Sequence, residues 1–410
     1  MINALYESGM ADLTAAEAAA ELGISVQTLY AYVSRGRLRS VAQGRARARR
    51  YLQEDVWALK QKKIYRGDPV RVAEEALHRG LPVLQSRVSV VTDGRLYYRG
   101  HDAVELATQH SFEEVVALLW LGDLAATLQE VPVDAFSFAW RDVDRMTREL
   151  APLQACQLVL PLASANDLGA YDLRPHAVQR AGVKILSLLV AVATRRRPLA
   201  LGIAKQLQHA WKLKEDIAPL LEAALILYAD NGLSPSTFAA RCVASAGSTP
   251  YEVVAAGVAA LQGSKHGGAS ERAEALFQEA PVAGGPRRAV AARLRRGDEM
   301  PGFGHPSYPD GDPRGALLLE LAAKHRPRSP AVGLAKRIVE AVREMVNQEP
   351  NVDFGVATLC RALELPPTAP LTLLGLARTA GWIAHALEQY EEGRVIRPRE
   401  RYSGEPPRRP

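Results

Sequence analysis

Beyond His101, apolar residues recur at three- and four-residue spacing in segment after segment. Residues 111–121 (SFEEVVALLWL), 223–229, 253–261, 330–345 and 371–388 all carry this pattern. A period near 3.6 buries one stripe of a helix, so these stretches predict helices packed on helices. Proline and glycine punctuate them, and Ser111 with Glu114 has the form of a capping box. No internal repeat and no nucleotide-binding glycine pattern is present. The period changes at one place: Val83 to Val91 alternates, Asp93-Gly94 is a strong hairpin turn, and Leu96 to Arg99 returns. A small β-hairpin therefore precedes the helices.

A chain of 410 residues has room for two or three domains. A hydrophobic fraction of 48% and a charged fraction of 23% are those of a soluble globular protein. The net charge of +6 and pI near 9.2 fit an anionic ligand or nucleic acid but demand neither. Cys156, Cys242 and Cys360 lie far apart without metal spacing and read as reduced core residues of a cytoplasmic protein; no metal is expected. The N-terminus lacks a signal-peptide pattern. The longest apolar run, residues 185–193, is too short to span a bilayer, so no membrane is expected.

The composition shifts near residue 65. Before it, Thr14 caps a short helix over 15–22, Gly23 makes a turn, and 26–34 forms a second helix stopped by Gly36. Arg37, Arg39, Arg45, Arg47, Arg49 and Arg50 follow. A charged stretch, 64–79, bridges to the rest.

Three short segments carry the chemistry: Ser264-Lys265-His266-Gly267-Gly268, Met300-Pro301-Gly302-Phe303-Gly304-His305, and Asn351-Val352-Asp353-Phe354. Each places one titratable side chain in a loop bounded by Gly or Pro. Taken singly, a histidine beside two glycines is more often structural, and an aspartate after Asn-Val is usually a cap. Together, two histidines and a carboxylate are the groups that remove a proton from a carbon acid and hold the enolate.

In this order and context, His266, His305 and Asp353 resemble the citrate synthase family, and the likeness extends over about residues 80–404. It includes Leu96-Tyr97-Tyr98-Arg99-Gly100-His101-Asp102 and Asp312-Pro313-Arg314. The resemblance implies a mainly α fold of all-helical large and small domains, with a mobile small domain at roughly 265–365. It implies Asp353 as base, His266 as hydrogen-bond donor to the thioester oxygen, and His305 as the group on the keto oxygen. Pro301, Gly302, Phe303 and Gly304 would cradle coenzyme A. Arg314, Arg378 and Arg397 would clamp a dicarboxylate, as guanidinium forks do in bidentate fashion. Arg397 would reach the neighbouring subunit's site, making a homodimer with shared active sites.

The implied reaction joins acetyl-CoA, oxaloacetate and water into citrate and CoA. The coenzyme A thioester enters as substrate, with no bound cofactor. A 2-methylcitrate synthase, or a synthase using another 2-keto acid, is an alternative. A DNA-binding metabolite sensor with a degenerate synthase domain is another.

Two departures stand out. Relatives carry His-Ala-Asp-His-Glu where this chain has Tyr228-Ala229-Asp230-Asn231-Gly232. Asn231, at the substrate-binding position, donates a hydrogen bond but carries no charge. After His305, relatives have basic residues where this chain has Pro306-Ser307-Tyr308-Pro309-Asp310.

Residues 11–60 resemble the winged helix-turn-helix of MerR-type regulators. That implies a DNA-binding domain over 1–64, the synthase-like region over 65–404 and a tail over 405–410. Gln27, Thr28 and Tyr30 would lie near bases or backbone, with Arg37, Arg39, Arg45, Arg47, Arg49 and Arg50 on phosphates.

Overall fold

The computed structural model describes residues 13–35, 38–42, 49–51, 55–56, 59, 84–128, 139–199, 201–213, 217–398 and 402–405. The chain divides into two units, Met1–Gln85 and Ser86–Pro410. The domain boundary expected at residue 64 lies outside the described residues, as do Gly36, Arg37, Arg45 and Arg47.

In the first unit, Thr14 and Glu17 form a reciprocal capping box that starts the helix Ala15–Leu22. Ser25 caps the helix Val26–Ser34, accepting from Thr28 N at 3.2 Å. Strands Ser40–Ala42 and Arg49–Tyr51 pair antiparallel, with Ser40 opposite Tyr51. Ala18, Leu22, Leu29, Leu38, Tyr51 and Val56 close a small core. The result is a helix-turn-helix followed by a two-stranded ribbon.

The second unit opens with the expected hairpin, Ser89–Thr92 against Arg95–Tyr98, turning at Asp93-Gly94. Pairing begins at Ser89, later than the alternation from Val83 suggests. The amides just before it are used elsewhere: Val88 N donates to Ser86 Oγ and Arg87 N to the Glu388 carboxylate. A third strand, His101–Asp102, joins Arg95–Tyr98 and is too short to leave a periodic signal. Asp102 then caps the first helix of the unit.

The rest is helical. The apolar segments become Phe112–Leu121, Ala218–Tyr228, Pro250–Leu261, Pro330–Val346 and Ala369–Glu392. Many helices begin with proline in the first turn, where its missing N–H costs nothing and its fixed φ is already helical. The helix Ala369–Glu392 runs through the main core, buried on most of its length around Trp382 and Ile383. The apolar run 185–193 belongs to Pro175–Thr194, the one described helix long and apolar enough to cross a membrane. Ile185, Leu188, Leu189 and Val190 pack into the same core, which accounts for the composition.

A second core forms in the stretch expected to hold the smaller domain. Phe277, Ile338, Val342, Phe303 and Phe354 meet there, with Phe277 stacked on Phe354 at 5.1 Å. The helices Pro313–His325 and Val352–Ala362 cross at Gly315, where an added Cβ would fall 2.4 Å from Asn351 O. That close crossing lets Asp312, the partner of Arg314, accept from Val352 N beside Asp353. All three cysteines are free; Cys156 and Cys360 are buried, but Cys242 is only half-buried, which corrects its reading as a core residue.

Candidate active site

Asp353 stands in the first turn of Val352–Ala362, but it does not cap that helix. Asn351 does, its Oδ1 accepting from Asp353 N at 3.0 Å and Phe354 N at 3.4 Å. The Asp353 carboxylate is left for other partners. Its Oδ1 accepts from Ser270 Oγ at 2.6 Å and from Tyr228 Oη at 2.8 Å. Tyr228 ends the helix Ala218–Tyr228, and Ser270 lies in the first turn of Gly268–Val282. Burial, reinforced by the Asp353 charge, holds the Tyr228 phenol protonated well above its ordinary range.

His266 sits in the turn before Gly268–Val282, where Gly267 N donates to Leu261 O. Its Nε2 is 2.8 Å from Ser236 Oγ, to which Trp382 Nε1 also donates at 3.3 Å. A serine that accepts from an indole still has its own proton to give. Donation to Nε2 places the imidazole proton on Nδ1, an assignment that follows from the network. Burial first, and then the Arg378 charge, push the His266 pKa down to about 4, with Asp353 opposing. The ring is therefore neutral near pH 7. At His305, Ser307 N donates to Nδ1 at 3.1 Å, so a neutral ring carries its proton on Nε2.

Arg314 is buried. Its Nε and Nη2 donate to the two oxygens of Asp312, each at 2.9 Å, and the guanidinium lies 4.7 Å over the Tyr308 ring. Asp312 Oδ2 also accepts from Val352 N, next to Asp353. Arg378 is buried too, donating from Nε to Tyr228 O at 2.9 Å and from Nη1 to Ser234 Oγ at 3.2 Å. The contacts form one connected network. His305 packs on Tyr308 at 5.0 Å, Tyr308 on Arg314, and Asp312 reaches the helix of Asp353. From Asp353 the path runs through Tyr228 and Arg378 to the serines at 234 and 236, and on to His266.

Asp230 Oδ1, Asn231 Oδ1 and Tyr308 Oη are buried without a hydrogen-bond partner among the described residues. Buried polar atoms are normally paired. Tyr308 lies in this network, and Asp230 and Asn231 adjoin it, two and three residues after Tyr228. Asp230 is otherwise fixed by Ser89 and by His385 at 3.3 Å.

The loop 301–304 is bound to the strand-like approach to Asp353: Asn351 N donates to Gly302 O at 2.8 Å and Gly304 N to Glu349 O at 2.8 Å. Gly302 has φ +83, and an added Cβ would lie 2.8 Å from Phe354 Cβ. Pro301 is buried, and the Phe303 ring is packed on Phe354 at 4.7 Å, inside the small core. Arg397 is exposed and, among the described residues, joins no hydrogen bond of this network. No group of three or more potential metal ligands occurs among the described residues.

Residues 76–399 match the citrate synthase C-terminal domain family, and residues 13–63 match a helix-turn-helix domain. The chain belongs to the citrate synthase family. It is 34% identical over 364 residues to a citrate synthase of Haloferax volcanii, covering 80% of this chain and 94% of the relative. It is 30% identical over 337 residues to a 2-methylcitrate synthase of Mycobacterium tuberculosis, covering 75% and 84%. The crystal structure of citrate synthase from Thermotoga maritima superposes with a TM-score of 0.67 at 26% identity, covering 80% of this chain and 94% of that one. The mainly helical citrate synthase fold expected from the motifs is the fold observed.

The sequence reading missed Ser236 and Ser270 and saw Tyr228 only as a departure. Ser270 sits four residues after His266, a spacing that suggested nothing until Gly268 was seen to start a helix. Ser236 lies in Ser234-Pro235-Ser236-Thr237, a helix-start pattern whose second serine turned out to hold the imidazole.

In the N-terminal unit, Gln27 and Tyr30 are exposed, Tyr30 at 54%. Thr28 is half-buried and hydrogen-bonded to Ser25 Oγ. Arg39 is engaged by Asp55 through two side-chain bonds of 2.9 and 2.8 Å.

Proposed function

We propose that this family member condenses an acyl-CoA with a 2-keto dicarboxylate, with acetyl-CoA and oxaloacetate as the preferred pair and citrate and CoA as products. The observation that carries the reading is the single network joining Asp353, His266, Arg314, Arg378 and His305, with unpaired buried oxygens in and beside it. Asp353 takes a proton from the thioester methyl group. A carboxylate is too weak a base for this unless the oxyanion is stabilised in the same step. Neutral His266 meets that need by donating from Nδ1 to the thioester oxygen. The enolate carbon attacks the keto carbon while His305 donates from Nε2 to the keto oxygen. Water then hydrolyses the thioester and frees CoA.

Arg314 and Arg378 hold the carboxylates of the keto acid, Arg314 through the nitrogen that Asp312 does not engage. Asn231 lies beside them and supplies a neutral contact in place of a charged one. The loop 301–304 meets coenzyme A through its backbone, since the Phe303 ring is spent in the core. The enzyme works in the cytoplasm as a homodimer, with Arg397 supplied across the interface, and the helix-turn-helix binds DNA.

The 2-methylcitrate reading draws support from the relative of that name and from Asn231. A thiol-release assay on purified protein separates the readings. Acetyl-CoA and propionyl-CoA are each paired with oxaloacetate and a panel of 2-keto acids. The highest kcat/KM is expected for acetyl-CoA with oxaloacetate. A preference for propionyl-CoA points to 2-methylcitrate synthesis. Tight ligand binding with no thiol release from any pair points to a sensor.

A further inference from the structure

Two hydroxyl groups converge on one oxygen of the Asp353 carboxylate. Ser270 Oγ donates to Oδ1 across 2.6 Å and Tyr228 Oη across 2.8 Å. Both side chains are buried, Ser270 at 0% and Tyr228 at 1% exposure. Oδ2 accepts no hydrogen bond among the described residues, so the two carboxylate oxygens are unequal. Tyr228 has a second attachment: its backbone oxygen accepts from Arg378 Nε at 2.9 Å. One residue thus ties the carboxylate to an arginine of the keto-acid site.

We propose that Tyr228, with Ser270, is a positioning residue for proton abstraction: it pins Oδ1 so that Oδ2 is the atom that receives the methyl proton. The inference rests on the reading of Asp353 as the base. Donors to an ionised carboxylate favour the charged form and remove rotational freedom. The pinned carboxylate is held in one orientation, and the attachment to Arg378 registers that orientation against the second substrate. A phenol suits the role because it stays a neutral donor across the working pH range. Among the described residues, His266 feels the Asp353 charge, and Arg378 and Cys360 border Tyr228. Glu274 is engaged by Arg361.

The test compares Tyr228→Phe with Asp353→Asn in the full-length protein. The phenylalanine keeps the backbone oxygen that holds Arg378, so the KM for oxaloacetate should change by less than about twofold, while kcat falls roughly tenfold. A merely structural tyrosine would lower stability without lowering kcat at an unchanged KM. With acetyl-CoA deuterated at the methyl group, the isotope effect on kcat should rise as proton abstraction becomes slower. Asp353→Asn should cost at least roughly 10²-fold. If Asp353→Asn is inactive while Tyr228→Phe keeps its kcat and its isotope effect, the positioning role is wrong and the base assignment stands. If Asp353→Asn remains active, the base assignment itself is wrong. Should Tyr228→Phe fail to fold, Ser270→Ala removes the other donor to the same oxygen; an unchanged kcat there overturns the proposal, and a lowered kcat at an unchanged KM supports it.

Discussion

Ser236 Oγ lies 2.8 Å from His266 Nε2 and accepts from Trp382 Nε1 at 3.3 Å. The indole occupies one lone pair of the serine and steers its proton toward the imidazole. That arrangement keeps the Nδ1 proton of His266 available to a substrate oxygen, and burial keeps the ring uncharged.

Ser236→Ala should therefore reduce kcat by roughly 10- to 100-fold, because the tautomer is no longer fixed and the Trp382 N–H is left unpaired. KM for the keto acid should barely move. Steady-state kinetics with each substrate varied in turn check this, and a kcat equal to that of the parent would refute the role of Ser236.

Asn231 should weaken the keto-acid site, since its Oδ1 is buried without a partner and the side chain brings no charge to a dianion. Asn231→His is expected to tighten oxaloacetate binding by roughly tenfold below pH 6.5, where an ordinary imidazole is charged. Calorimetric titration at pH 6 reads the effect. Unchanged or weaker binding would mean that oxaloacetate does not contact this position.

Glu222 gives a pH test of stability independent of catalysis. Burial, and secondarily the neighbouring Glu113 charge, raise its pKa from 4.5 to about 7, while Phe112 N donates to it at 2.6 Å. A carboxyl whose folded pKa exceeds its unfolded one binds its proton more tightly when folded. Its stabilising contribution is complete below pH 4.5 and is lost as pH rises through about 7. Glu222→Gln should remove that decline, on the order of 2 kcal/mol between pH 5 and 8. Thermal unfolding across that range should show a flatter profile for the variant; parallel profiles would count against the raised pKa.

Arg397 is exposed beyond the end of the helix Ala369–Glu392, as suits a residue that acts across a dimer. Asp353→Ala and Arg397→Ala should each be inactive alone. Co-assembled, a mixed dimer has one site with both groups intact, so random mixing should restore roughly a quarter of parental activity. Verified mixed dimers without activity would show that Arg397 acts within its own chain or not at all.

The N-terminal unit is expected to bind DNA through the face bearing Gln27 and Tyr30, with affinity falling steeply as salt rises because phosphate contacts release counterions. Titrating the full chain and a chain lacking residues 1–64 against genomic fragments checks this. Equal, weak binding by both would make the unit a protein-docking module, since Arg39 already spends its charge on Asp55.

What the sequence determined by itself is local or motif-bound. Helix starts at Thr14, Ser111 and the proline-marked segments follow from groups a few residues apart, so they are legible without the fold. The loops holding His266, His305 and Asp353 were legible because Gly and Pro mark them. The tertiary structure decided the rest. Tyr228 meets Asp353 from 125 positions away, and Arg241 is buried against Glu388 from 147. It also made Asn351 rather than Asp353 the helix cap, and turned the Phe303 ring from the expected ligand loop into the small core. Such pairings leave no spacing in the chain, because they depend on how helices cross. At Gly315 the helices cross, and at Gly302 the loop meets Phe354, so closely that only the absence of a side chain permits it.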